Sequence, residues 1–371
     1  MKIICSKADL SHGVNIVSKA VPTRTTMAIL ECILIDATTD CIKLTANDME
    51  MGIETTVAGT IEERGMIALD ARVFSEMVRK LPDNDVTIET DATFKTVIRC
   101  EKARFTIIGK SGEDFSPLPF ITRENGIHLS QFAFKEVVRQ TIFSISDTDA
   151  NKMMTGELFE IEDQSMRVIS LDGHRISVRK IQLAESSGKW KVVVPGKTLQ
   201  EVSKIVPGDS EKDLVLYIDR NHIVFEFEGT IVVSRLIEGE YFKIDQMLAP
   251  EYETKIQVNK RLLLDCIDRA TLLVKEGDKK PIIMDIKEDV MELKINSFIG
   301  SMNEQIDISL TGKEIMIGFN PRFFIDALRV IDEEEITLYM RNPKTPCFIR
   351  AEDGSYIYLI LPVNFNAASV Q

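Results

Sequence analysis

No two cysteines in this 371-residue chain form a C-x-x-C pair, and none has metal-ligand spacing. Cys5, Cys32, Cys41, Cys100, Cys266 and Cys347 are scattered, and the four histidines stand alone. This argues against a zinc site and predicts buried thiols in a reducing compartment; no cofactor is expected. No apolar run approaches membrane-spanning length, and Met1-Lys-Ile-Ile-Cys-Ser6 lacks the apolar core of a signal peptide. The expected location is the cytoplasm, with no membrane partner. A phosphate-binding P-loop is missing too. Gly196-Lys197-Thr198 has Lys191, and Gly109-Lys110-Ser111 has Arg104, where that motif needs its first glycine. Positive charge is also in deficit, with 45 Lys and Arg against 58 Asp and Glu, for a net charge of -13. Such a surface disfavours general adsorption to nucleic acid, so any phosphate binding requires a segregated basic face.

What the chain does have is a threefold repeat. Ile67-Ala-Leu-Asp-Ala-Arg-Val-Phe74, Val192-Val-Val-Pro-Gly-Lys-Thr-Leu199 and Ile317-Gly-Phe-Asn-Pro-Arg-Phe-Phe324 each read as a strand, a turn and a helix start. Arg72, Lys197 and Arg322 are separated by 125 residues and again by 125. Arg79, Lys204 and Arg329 follow seven positions later, nearly above them on a helix. One basic pair on a helix is commonplace. Three pairs in one register point to a use, and phosphate contact is the usual one.

The rest of the chain follows the same period. Each repeat opens with a strand and a helix whose apolar stripes are Leu10, Val14 and Val17; Phe134, Val138 and Thr141; and Leu263, Ile267 and Ala270. The second helices carry Phe74, Met77, Val78 and Leu81; Leu199, Val202 and Val206; and Phe324, Ala327, Leu328 and Ile331. Alternating strands close the repeats over 86–108, 214–237 and 336–361, separated by turns such as Asp219-Arg-Asn221 and Glu352-Asp-Gly354. The expected class is α+β, with two helices side by side on an antiparallel sheet in each of three domains: 1–120, 127–250 and 251–371. No low-complexity linker separates them, which predicts rigid packing.

Two segments invite chemistry. Asp172-Gly-His-Arg175 could offer His174 as a base oriented by Asp172, but no nucleophile elbow accompanies it and Asp-Gly is first a turn signal. Asp48 and Glu50 could hold a metal, but no third ligand has suitable spacing. No catalytic residue and no metal ligand is assigned.

Leu44-Thr-Ala-Asn-Asp-Met-Glu50, Asp172-Gly-His-Arg-Ile176, Val194-Pro195, Ile317-Gly-Phe-Asn-Pro321 and Leu359-Ile-Leu-Pro362 together resemble the bacterial DNA polymerase III beta subunit family, the replicative sliding clamps. The resemblance spans essentially the whole chain. It implies three tandem copies of the DNA-clamp (processivity-fold) domain, with helices lining a ring and antiparallel sheets outside. It also implies a head-to-tail homodimer that encircles double-stranded DNA without reading its sequence. The basic residues Arg72, Arg79, Lys197, Lys204, Arg322 and Arg329, with Arg24 in Pro22-Thr-Arg-Thr25, would then face DNA.

The family also has a hydrophobic cleft for short peptides of the polymerase III alpha subunit, the clamp-loader delta subunit and other proteins with a clamp-binding motif. The matching positions are Met154, Leu171, Gly173, His174, Arg175, Ile176, Phe242, Met247, Leu359, Ile360, Leu361, Pro362 and Val363. Phe242 stands where proline is usual, and Gln246 and Asn364 where arginine is common. Ring closure would bring Phe105 and Ile107 against Leu272 and Leu273 of the partner subunit. The expected function is a processivity subunit with no active site. The rival readings are a non-encircling three-domain interaction scaffold and a hydrolase using His174 and Asp172.

Overall fold

Short polar side chains start most of the helices, as the turn residues before each apolar stripe require. The computed structural model describes residues 1–148, 150–248, 251–274 and 280–365. Among them lie six α-helices: α1 Lys7–Val17, α2 Ala71–Lys80, α3 Gln131–Thr141, α4 Gly196–Ile205, α5 Lys260–Thr271 and α6 Pro321–Val330. Ser6 accepts a hydrogen bond from the Asp9 amide (3.0 Å), Asp70 from Val73 (2.8 Å), Asn259 from Leu262 (3.1 Å) and Asn320 from Arg322 (3.1 Å). Each such cap is worth about 1 kcal/mol. The helix stripes read from the periodicity are buried, apart from Met77, which is half-buried.

The chain divides into two units, Met1–Phe134 with Lys197–Leu236, and Lys135–Gly196 with Ile237–Gln371. The first unit holds a five-stranded sheet built on Lys2–Ser6 and a nine-stranded sheet. The nine strands come from two repeats, joined where Met51–Val57 runs antiparallel to Thr230–Arg235. Thr55 and Thr230 face each other across that seam, their hydroxyls 2.7 Å apart. In this unit α1 lies against α2.

The second unit repeats the plan. Its nine-stranded sheet is joined where Arg175–Gln182 runs antiparallel to Tyr356–Ile360, and a four-stranded sheet accompanies it. Here α5 lies against α6, over a core that includes Leu263, Ile267, Phe319, Phe324 and Leu328. The second repeat is thus split, its strands shared between the two sheets. Main-chain ladders, beyond the connectors alone, bind repeat to repeat. The closing strands fall where alternation put them, at Asp85–Thr90, Lys95–Cys100 and Ala103–Ile108 in the first repeat. They recur at Asp213–Ile218, His222–Phe227 and Thr230–Arg235, then at Glu335–Met340, Cys347–Arg350 and Tyr356–Ile360. The cysteines are free, five of them buried, and burial pushes the thiols of Cys5 and Cys266 up to about 12.

Candidate functional site

The basic residues of the repeat sit on helix surfaces. Arg72, Lys197 and Arg322 are the second residues of α2, α4 and α6, and all three are exposed. Arg79, Lys204 and Arg329 lie in the last turns, where the helix dipole favours a cation. Arg24 is exposed in a bend. Arg24, Arg72, Arg79, Lys197 and Lys204 belong to the first unit, and Arg322 and Arg329 to the second.

Carboxylates partner four of these seven cations. Arg79 meets Glu76 at 2.5 Å, Lys204 meets Glu201 at 2.7 Å, Lys197 meets Asp48 at 2.6 Å and Arg329 meets Asp268 at 3.6 Å. Among the described residues, Arg24, Arg72 and Arg322 have no such partner. Sequence reasoning overlooked the acids that partner the second-row cations, although a signal was present. Glu76, Glu201 and Asp326 recur at the same 125-residue interval as the bases. In the third copy the acid is diverted: Asp326 pairs with Arg175, and Arg329 turns to Asp268 instead.

The segment Asp172–Arg175 is a hairpin turn between the strands Ser165–Leu171 and Arg175–Gln182. Asp172 Oδ1 accepts from the amides of His174 (2.9 Å) and Arg175 (3.1 Å), and Gly173 takes φ +87, which glycine adopts without strain. Asp172 Oδ2 accepts from Arg175 Nε at 2.9 Å. The His174 ring instead stacks on Phe323, with centroids 6.1 Å apart. Asp172 therefore orients Arg175, not the His174 ring. The Asp48–Glu50 segment repeats this turn. Asp48 Oδ1 accepts from Glu50 N (3.0 Å) and Met51 N (2.7 Å), with Met49 at φ +75. That gives Asp48 a role in the turn, and no cluster of three metal-capable side chains occurs among the described residues. Gly196 is needed for close packing, since a Cβ there would run into Ile145 and the Thr155 carbonyl.

Beside the Asp172 turn lies an apolar cluster, most of it buried. Met154, Leu171, Ile176, Leu359 and Leu361 join one cluster with Tyr241, Ile244, Leu248 and Phe348. The Leu361 amide donates to the His174 carbonyl (2.9 Å) and the Val363 amide to the Gly318 carbonyl (2.8 Å), which fixes the segment through Pro362 beside the turn. Phe242 stands edge-on to Tyr241 with centroids 5.8 Å apart, and both Phe242 and Met247 are exposed. Ile360 is different. Strand alternation turns it to the opposite face, into the third-repeat core, at 0 % exposure. Arg175 is buried as well. Its guanidinium bonds Asp172, Asp326 (2.5 Å) and the Phe143 carbonyl, and lies 4.6 Å from the Phe323 ring centroid. Burial opposes its charge, but Tyr358, Asp326 and Asp172 keep its pKa raised.

Both units end in open sheet edges. Ala103–Ile108 is the edge strand of the five-stranded sheet, with Phe105 and Ile107 half-buried. Ser301–Asp307 is the edge of the four-stranded sheet. Near it Leu272 is 79 % and Phe298 98 % exposed, whereas Leu273 packs on the core. Phe298 and Ile299 were legible as two apolar residues in a loop between alternating strands, but were not singled out.

Comparison with known proteins agrees with this architecture. The DNA polymerase III beta subunit N-terminal, central and C-terminal domain families match residues 1–119, 128–243 and 245–364. The beta sliding clamp of Staphylococcus aureus is 33 % identical over 356 residues, covering 93 % of this chain and 94 % of that one. A solved structure from Eubacterium rectale is 73 % identical, with a TM-score of 0.96 and coverage of 98 % of this chain and 100 % of that one. The sliding clamp of Bacillus subtilis is 33 % identical at a TM-score of 0.95, covering 99 % of this chain and 100 % of that one. Three tandem clamp domains built mostly from antiparallel sheets, and a chain matched from end to end, place this protein in the DNA polymerase III beta subunit family, the bacterial beta sliding clamps.

Proposed function

We propose that two copies of this chain, each with clamp domains 1–120, 127–250 and 251–371, close head to tail around duplex DNA. The ring would tether the replicative polymerase. The observation that carries this reading is the repeated exposed basic row on α2, α4 and α6 of an acidic protein. Contacts from such a row go to phosphates, so they hold the duplex without reading its sequence. Retention then depends on topology, and the phosphate contacts can stay weak enough for sliding. The protein is a processivity subunit and has no polymerase chemistry of its own.

The open edges Ala103–Ile108 and Ser301–Asp307 support closure, because an unpaired edge is a pairing liability that a second copy removes. Phe105 and Ile107 would lie against Leu272 and Leu273 of the partner subunit, and the exposed Phe298 would be covered there too. The Met- and Leu-rich surface around the Asp172 turn would receive short peptides. Their sources would be the polymerase III alpha subunit, the clamp-loader delta subunit and other proteins with a clamp-binding motif. Among the described residues no helix is long and apolar enough to cross a membrane. Work on chromosomal DNA would place the protein in the cytoplasm.

Replacing Arg72, Lys197 and Arg322 together by alanine tests the DNA-facing reading. The expected outcome is weaker binding to a short duplex, with the slope of log affinity against log salt reduced by roughly two to three. Sedimentation should still show the dimer. An unchanged salt slope would exclude these residues as phosphate contacts.

A further inference from the structure

Some cations on the repeat helices are paired with carboxylates and some are not, and the second row is paired throughout. The second row, Arg79, Lys204 and Arg329, is paired in every copy, with Glu76 (2.5 Å), Glu201 (2.7 Å) and Asp268 (3.6 Å). In the third copy the acid at the repeat position, Asp326, is committed to Arg175. A carboxylate from another helix, Asp268 on α5, stands in for it. Pairing is thus restored by a different route where the local acid is lost. In the first row Arg72 and Arg322 have no carboxylate partner among the described residues, and Lys197 is held by Asp48 (2.6 Å).

We propose that Glu76, Glu201 and Asp268 are built-in competitors of the DNA phosphates. Each occupies a second-row cation that would otherwise grip the duplex, and so keeps the DNA-facing helices loose enough to slide. This rests on the DNA-facing reading above. The chemistry suits the role. The three second-row cations are exposed, and so are Glu76 and Asp268, while Glu201 is 19 % exposed; pairs at such a surface are weak enough to exchange partners. A passing phosphate oxygen can take the guanidinium or ammonium group while the carboxylate turns to water, and the exchange reverses as the phosphate moves on. Full-strength contacts at the same positions would add to the counterion-release term and hold the duplex in place. The acids therefore set how many of the cations act on DNA at once.

The test is the triple variant E76Q/E201Q/D268N in the full-length protein, whose amides keep shape and remove charge. A control, E113Q/E185Q/E211Q, removes the same three charges from exposed sites outside α1–α6. Affinity for a short linear duplex is measured by fluorescence anisotropy over a salt series, beside R72A/R322A. The expected result is about tenfold tighter binding at low salt for the helix variant, from three weak pairs released together. Its salt slope should be steeper by about two to three, and the control should stay near wild type. An equal gain in helix variant and control would overturn the proposal, since net charge alone would then explain it. No gain in the helix variant, with R72A/R322A weakened, would overturn the proposal and leave the DNA-facing reading standing. If R72A/R322A also bound like wild type, that reading would fall along with the proposal.

Discussion

Arg175→Ala should destabilise the protein by about 3–5 kcal/mol, the usual result of removing one partner from a buried ionic network. The guanidinium is nearly enclosed and holds together groups distant in sequence: Asp172 in the hairpin turn, Asp326 on α6 and the Phe143 carbonyl. It also lies over the Phe143 and Phe323 rings at 5.6 and 4.6 Å. Alanine would leave Asp172 with little solvent and without its counter-charge, and would open a void between two aromatic rings. The melting temperature should fall by roughly 6 °C or more. Arg175→Lys should rescue little of this, because an ammonium cannot bridge two carboxylates and a carbonyl in one plane while lying over a ring. A variant that melts with wild type would show that the network is not a structural clamp. The apolar cluster of Leu171, Ile176 and Leu359 adjoins this turn, so the network also holds the proposed peptide-binding surface in place.

The second large effect concerns Glu157, on the strand Gly156–Glu162. It is fully buried, neither carboxyl oxygen has a hydrogen-bond partner among the described residues, and burial pushes its pKa up to about 8. Thr141 adjoins it, but that hydroxyl already donates to the Val137 carbonyl (2.7 Å). The folded state therefore keeps Glu157 protonated at neutral pH, while the unfolded chain ionises near 4.5. A folded pKa above the unfolded one means that the stability Glu157 contributes is greatest below pH 4.5 and is lost as pH rises toward 8. The slope over that window is about 1.4 kcal/mol per pH unit. Glu157→Gln removes the titration and keeps the shape. It should stabilise the protein by roughly 3 kcal/mol at pH 7 and by little at pH 4.5. Urea unfolding of both proteins across pH 4.5–8 checks this. Parallel curves would show that Glu157 titrates alike in both states.

Much of the fold could be read directly from the sequence because its signals are local. Phe74 and Val78, or Phe324 and Leu328, repeat at helical spacing and are buried as that spacing requires. The 125-residue interval of Arg72, Lys197 and Arg322 located the repeats with no structure at all. The seams were harder. Pairing of Thr55 with Thr230, or Ser177 with Tyr358, joins strands far apart in sequence, and nothing in either strand names its mate. For the proposed peptide site, motif resemblance supplied a contiguous stretch from Leu359 to Val363, whereas strand alternation sends Ile360 to the opposite core. Asp326 shows a similar limit. Its position in the repeat pairs it with Arg329, but the tertiary fold gives it to Arg175. The basic positions were legible as a sequence repeat, but which of them are free and which paired depended on such choices.

Encirclement is the central claim, and one measurement addresses it. The protein is loaded by a clamp loader onto a nicked circular DNA, washed in high salt, and the DNA is then cut once. The account predicts that the protein survives the wash on the circle, because topology holds it when phosphate contacts are screened, and is released on linearisation as it runs off an end. Equal retention on circle and cut DNA, or loss from both in the wash, would contradict a closed ring around the duplex.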